Sequence, residues 1–137
     1  MKKGLFICFE GPDGSGKTTQ AAKLVDSLIE NGYDVVRTRE PGGSSIGDDV
    51  RRLLLQDKKV DLDAKAELML VLADRIQHIK EVILPALERG AIVVSDRYIH
   101  STIAYQGMAR GIGPVTVELF CEWATVGLKP DLTIYTQ

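Results

Sequence analysis

At 137 residues the chain is long enough for one domain that buries most of its unfolded surface. Its 45% hydrophobic and 26% charged residues are the balance of an ordinary globular protein. A net charge of −2 argues against general affinity for nucleic acid or an anionic membrane, and no apolar run approaches the ~20 residues needed to span a bilayer. Met1-Lys2-Lys3-Gly4 runs straight into an apolar strand, without the apolar segment and cleavage site of a signal peptide, so the expected location is the cytoplasm. Cys8 and Cys121 sit in apolar surroundings and are expected to be buried free thiols. His78 and His100 lack Cys or His partners at metal-ligand spacing, so no zinc site is expected.

Leu5 to Glu10 is a short apolar run that reads as a buried parallel strand. Gly11-Pro12-Asp13-Gly14-Ser15-Gly16-Lys17-Thr18 follows and fits the phosphate-binding pattern of Gly, four residues, Gly, Lys, Ser/Thr. Ala21, Ala22, Leu24, Val25, Leu28 and Ile29 then recur at helical spacing, so the loop lies between a strand and a helix as its chemistry requires. The glycines let the chain close around phosphate oxygens. The loop amides and the positive end of the helix dipole attract the anion. Lys17 adds a mobile charge for the outer phosphates, and the Thr18 hydroxyl is placed to ligate a magnesium ion.

Asn31-Gly32 ends that helix, and Asp34 to Thr38 reads as a second strand, parallel to the first through a right-handed crossover. Arg39-Glu40-Pro41-Gly42-Gly43-Ser44-Ser45 is a turn-rich segment past a strand's C-terminal end, where open α/β sheets place ligand contacts. Ile46, Val50, Leu53 and Leu54 give a short amphipathic helix, and Gln56 to Asp63 a polar surface connection. From Ala64, the stripe Leu68, Met69, Leu72, Ile76, Ile79, Ile83 and Leu87 predicts a long helical stretch, with Pro85 kinking it or opening a new turn and Glu88-Arg89-Gly90 ending it. Its breadth suggests a face for another subunit. Ala91 to Ser95 is a buried strand, residues 98 to 106 a short helix closed by Gly107, and Met108 to Gly113 a loop. Pro114 opens a helix with Val117, Phe120 and Trp123 or Ala124 facing the core and Gly127 as cap. Leu132 to Thr136 is a fourth strand.

Three features narrow the chemistry. Asp96 at a strand end can hold magnesium through water, and Arg97 beside it can neutralise a phosphoryl group in flight; the alternative is a surface pair. Thr38 to Gly43 sets Arg39 on the rim, suited to a second phosphate-bearing substrate, or else forms a turn with a solvated arginine. Arg75, inside an otherwise apolar helix, either snorkels or ion-pairs, or points at a pocket. A GTPase would need an Asn-Lys-x-Asp motif, but the only asparagine is Asn31, and Gly32 follows it.

With these segments in order, the chain resembles the thymidylate kinase (dTMP kinase) family over essentially all 137 residues. The matching segments are Glu10 to Gln20, Thr38 to Gly43, Glu67 to His78, Pro85 to Gly90, Ser95 to Gly107 and Lys129 to Leu132. Thr-Arg-Glu-Pro-Gly-Gly, Asp-Arg-Tyr and Ala-Tyr-Gln-Gly are specific as a set. The resemblance implies a three-layer α/β/α fold, a P-loop NTPase-type parallel sheet flanked by helices, transfer of phosphate from ATP with Mg2+ to dTMP, and a homodimer. It implies that Gly11, Pro12, Asp13, Gly14, Ser15, Gly16, Lys17 and Thr18 hold the ATP phosphates, and that Asp13 lies between donor and acceptor. Arg39 would bind the dTMP phosphate, Arg97 would bridge acceptor and transferred group, and Arg75 would reach the thymine edge. Ser101, Thr102 and Gln106 would line base and sugar, with Tyr105 against the deoxyribose.

Two departures from the family pattern stand out. Val71 replaces the aromatic that usually stacks on the base, and the stack's extra ~0.5–1.5 kcal/mol goes with it. Gly14-Ser15 in the loop resembles members whose lid donates a second arginine, yet the chain has no lid segment after the fourth strand, so 1–137 is expected to be a single kinase domain truncated at its C-terminus. Two alternatives follow from these departures: a kinase for another nucleoside monophosphate, or a nucleotide-binding chain with little turnover.

Overall fold

The computed structural model describes residues 3–56 and 59–137, so part of the connection expected over Gln56 to Asp63 lies outside the described residues. The elements are β1 (Leu5–Glu10), α1 (Lys17–Glu30), β2 (Val35–Arg39), α2 (Gly47–Arg51), α3 (Ala64–His78), α4 (Leu84–Glu88), β3 (Ile92–Asp96), α5 (Ile99–Thr102), α6 (Pro114–Thr125) and β4 (Leu132–Tyr135). π-Helical turns over Arg52–Gln56, Ile79–Ile83 and Ile103–Ala109 continue α2, α3 and α5.

All pairings in the four-stranded sheet are parallel, in the order β2-β3-β1-β4. β1 and β2 are joined by a helix but are not neighbours, because β3 lies between them. Central strands must bury both faces. Phe6 and Cys8 face one layer with Ile79, Ile83, Leu87 and Val93, while Ile7 and Phe9 face the other with Ala21, Val25 and Val94. The edge strands β2 and β4 stay half-exposed. At ~25 cal/mol per Å² of apolar surface, this two-sided burial is the main favourable term. A third cluster joins α3 to α6 through Leu68, Leu72, Val117, Cys121 and Ala124.

Register decides what the rim carries. Phe9 and Arg39 both lie opposite Asp96, so the C-terminal ends of three strands finish level. The phosphate loop, the Arg39 turn and Asp96-Arg97 therefore share one edge, as open α/β sheets require of a ligand site.

Several expectations are corrected in detail. In α6 the core face is Val117, Cys121, Ala124 and Thr125, at helical spacing toward α3, whereas Phe120 and Trp123 are exposed at 42% and 72%. In α3, Met69 and Ile76 leave the expected stripe for the surface, since the helix must also turn Asp74, Arg75 and His78 inward. The helical stretch after β3 does not stop at Gly107 but runs to Ala109. Gly107 is buried there against the start of α6, where a Cβ would come within 3.1 Å of Pro114 Cα. Val126 at φ 51°, rather than Gly127, is the first left-handed residue after α6. Pro85 sits in the first turn of α4, directly after the π-helical turn Ile79–Ile83 that joins it to α3. Both cysteines are buried free thiols, as expected, and burial pushes the Cys8 thiol pKa up. No helix among the described residues is long and apolar enough to cross a membrane.

Candidate active site

The loop from Gly11 to Gly16 lies mostly open, and Lys17 begins α1 with its side chain buried among its neighbours. The Lys17 ammonium lies 3.0 Å from Asp96 Oδ1, and the Thr18 hydroxyl donates to Asp96 Oδ2 at 3.0 Å. Despite its closeness to Lys17, Asp96 Oδ1 takes no aligned hydrogen bond. A hydroxyl oxygen beside a carboxylate with a spare buried oxygen suits a hard cation such as magnesium, which commonly uses one or two carboxylates plus phosphates and water. Among the described residues no group of three His, Cys, Asp or Glu could hold a metal by itself.

Arg97 follows Asp96 with φ 75°, in the left-handed region that costs a non-glycine residue ~1–3 kcal/mol. Two bonds hold it there: its N–H donates to Phe9 O at 2.9 Å, and the Ser95 hydroxyl donates to its carbonyl at 2.9 Å. That backbone turn aims the guanidinium at the phosphate loop, where Nη2 pairs with Asp13 and Nη1 donates to Ser101 Oγ at 3.2 Å. The group also lies 5.3 Å from the centre of the Tyr105 ring. Burial would lower the Arg97 pKa, but Tyr105 and Asp13 beside it raise it.

Under this site lies a buried polar floor. Arg75 is 1% exposed; its Nε donates to Glu40 Oε1 at 2.6 Å and its Nη2 to Thr102 Oγ1 at 2.8 Å and Tyr98 O at 3.1 Å. Glu40 Oε2 lies 2.8 Å from His78 Nδ1, and His78 Nε2 lies 2.5 Å from the Thr38 hydroxyl. One turn back, Asp74 accepts from Gly42 N at 3.0 Å and Ser44 Oγ at 2.7 Å. So α3 holds the turn after β2 along its length. Gly43 is required there, because a Cβ would collide with the His78 ring. Burial alone would raise the Glu40 pKa, but the Arg75 charge and the His78 hydrogen bond hold its carboxyl below the usual carboxylate range. The same pairing holds the Arg75 guanidinium pKa above its ordinary value against the opposing effect of burial.

Two cavities meet here. One of about 570 Å³ is lined by Lys17, Thr18, Arg37, Thr38, Arg39 and Asp96 among others. The second, of about 320 Å³, is lined by Val71, Arg75, Ser101, Thr102, Tyr105 and Gln106 among others. Asp13, Glu40, Arg51 and Arg97 line both. The predicted residues thus divide into a loop set and a pocket set on either side of Arg97. Arg75 answers both sequence alternatives at once, since it is ion-paired and also lines the pocket. Gln106 donates to Glu67 Oε1 at 2.8 Å, and Arg39 stays exposed on the rim.

Sequence reasoning missed Arg51, Glu67 and Asp74. Arg51 donates to Pro41 O at 2.8 Å, and burial together with Arg39 nearby lowers its pKa. Its only sequence signal was an arginine next to the core residue Val50 in a short helix.

A parallel sheet with a phosphate loop after its first strand, and a second pocket across the rim, defines a P-loop fold of the nucleoside monophosphate kinase type. The family model described as thymidylate kinase matches residues 9–137. A thymidylate kinase from Exiguobacterium sp. is 50% identical over 130 residues, covering 95% of this chain and 61% of its own length. One from Finegoldia magna is 47% identical over 131 residues, covering 96% of this chain and 64% of its own. The crystal structure of thymidylate kinase from Ehrlichia chaffeensis superposes with a TM-score of 0.89 at 40% identity, over 98% of this chain and 75% of that one. The chain belongs to the thymidylate kinase family, and it spans about three fifths of the length of the curated relatives it matches.

Proposed function

We propose that the protein transfers a phosphoryl group from ATP to dTMP, giving ADP and dTDP. The observation that carries this reading is the pair of adjoining cavities whose shared wall holds Asp13 and Arg97. A donor's outer phosphates on the loop and an acceptor's phosphate beside Arg39 would then face one another across Arg97. Phosphoryl transfer needs little covalent help from the protein; positioning and charge neutralisation supply most of the catalysis. Lys17 holds the donor's outer phosphates, and Arg97 meets the charge that spreads over the transferred group. Asp13 orients the acceptor, and Arg75, pinned by Glu40, offers fixed donors to the base edge. Tyr105 packs against the sugar where a 2′-hydroxyl would sit. Thr18 and Asp96 would hold magnesium, which would supply neutralisation of the charge developing on the phosphates.

Val71 favours a second reading, a kinase for another nucleoside monophosphate, because an aliphatic wall selects the base less sharply than an aromatic one. A coupled assay over a panel of monophosphates, run beside calorimetry on the same preparation, tests both. dTMP is expected to give the highest kcat/KM. A higher value for another monophosphate overturns the dTMP reading, and binding without turnover reduces the chain to a nucleotide-binding protein.

We also propose a cytoplasmic homodimer. Val115, Leu119, Phe120 and Trp123 expose apolar surface on α6, beyond the 64–90 stretch from which a subunit face was expected. Sedimentation showing only monomer at micromolar concentration would count against it.

A further inference from the structure

The geometry points to Glu10 and Ser101 as a positioning pair that sets Arg97 over the phosphate loop, an inference that rests on the phosphoryl-transfer reading above. Glu10 ends β1, is 3% exposed, and had no role in the sequence beyond closing the strand. Its carboxylate is committed to α5: Oε1 accepts the Ser101 hydroxyl at 2.5 Å and Oε2 accepts the Ser101 backbone N–H at 3.2 Å. Both donors belong to one residue, so the carboxylate fixes the Ser101 rotamer together with its backbone.

A serine hydroxyl has one proton to give. With that proton directed to Glu10, Ser101 Oγ presents a lone pair, and Arg97 Nη1 donates into it at 3.2 Å. The chain therefore has a direction, from guanidinium to hydroxyl to carboxylate. It runs from the end of β3 through α5 to the end of β1, all at the sheet rim. Of Arg97's other contacts, the Tyr105 ring lies 5.3 Å from the guanidinium, while Asp13 lies on the exposed loop and keeps 89% of its side-chain surface in solvent. Asp13 is also the residue expected to turn to the acceptor when substrates bind. The Ser101 hydrogen bond, beside the Tyr105 ring, then keeps the guanidinium aimed. A charge that is already oriented when transition-state charge develops costs no reorganisation at that moment. Loss of a supporting shell around such a group loosens it without removing it.

The test measures steady-state kinetics with ATP and dTMP for wild type, Glu10→Gln, Ser101→Ala, Ser101→Thr and the double variant Glu10→Gln/Ser101→Ala. The Arg97 Nε–Hε resonance is followed by NMR in the unliganded protein, a readout that does not depend on turnover. Each single loss variant is expected to lower kcat about 10-fold, the usual scale for a supporting partner. Both KM values should stay within about twofold. The double variant should be no slower than the worse single, because both remove one chain. Ser101→Thr should retain most of the rate, and the Arg97 resonance should shift in the loss variants only. Unchanged kcat with a lowered melting temperature, or losses that multiply in the double variant, would overturn the inference. Should Glu10→Gln fail to fold, Ser101→Ala against Ser101→Thr carries the same test. A wild type that does not phosphorylate dTMP, with the Arg97 resonance still moved by the variants, removes the functional reading and leaves the positioning pair standing.

Discussion

On the loop side of the site, Asp13 pairs with Arg97 while keeping 89% of its side chain exposed, and Asp96 Oδ1 lies beside Lys17 without an aligned hydrogen bond. On the floor side, the Glu40 and Arg75 side chains are 3% and 2% exposed, and both Glu40 oxygens have close polar partners. The Asp13–Arg97 pair can be exchanged for a phosphate, because an ion pair with one partner in solvent contributes only ~0–1 kcal/mol. The floor pair cannot, since a buried charge left without its partner costs ~3–5 kcal/mol. The same charge types thus serve a displaceable role on one side of Arg97 and a permanent one on the other.

The largest effect that separates the two sides is expected at Lys17. Lys17→Ala should lower turnover by at least ~10²–10³-fold, the scale of removing one donor to transition-state charge, while the chain still folds. Unchanged turnover would rule out the phosphate-loop assignment.

Glu40→Ala should behave in the opposite way and lose ~3–5 kcal/mol of stability by urea unfolding, because it strands Arg75. A loss below that seen at exposed pairs would break the distinction between floor and loop. The floor should also respond to pH. The Glu40 carboxyl is held below the usual carboxylate range in the folded protein, so its stabilisation is complete above the unfolded-state pKa and is lost as pH falls through the folded pKa. Between pH 5 and the acid limit, wild type should lose more stability than Glu40→Gln, as read from unfolding midpoints.

Arg39→Ala should raise the KM for dTMP about 10–100-fold, the worth of a hydrogen bond to a charged group, and leave the KM for ATP nearly unchanged. A larger effect on ATP would reverse the two cavities. Val71→Phe should tighten dTMP binding by ~0.5–1.5 kcal/mol in calorimetry, and no gain would show that this wall does not meet the base. At the small end, Asp34→Asn should leave the melting temperature unmoved, although Arg89 Nε lies 2.9 Å from Asp34 Oδ2, because both side chains are about half exposed.

Much of this was legible in the sequence because it is local. The glycines, Lys17 and Thr18 carry their meaning within eight residues, and the apolar runs around them supply strand and helix. Arg75 stood out because a guanidinium within an apolar helix needs a partner or a pocket, and it has both. The strand order was not legible, because periodicity tells a strand which faces to bury but not which neighbour to take. That choice placed β3 between β1 and β2 and set Asp96 level with Phe9 and Arg39. Glu40 in a Pro-Gly-Gly turn reads as a solvated carboxylate, and only the approach of α3 shows that His78 and Arg75 enclose it. Glu10 likewise reads as a strand's last polar residue until α5 brings Ser101, 91 positions later, against it. By itself the sequence determined the phosphate loop, the parallel sheet and the residue types gathered at its rim, since each follows from spacing along the chain. Which carboxylate meets which cation was decided by the tertiary structure alone, because such pairings join residues tens of positions apart, and only strand order and helix packing set the distances between them.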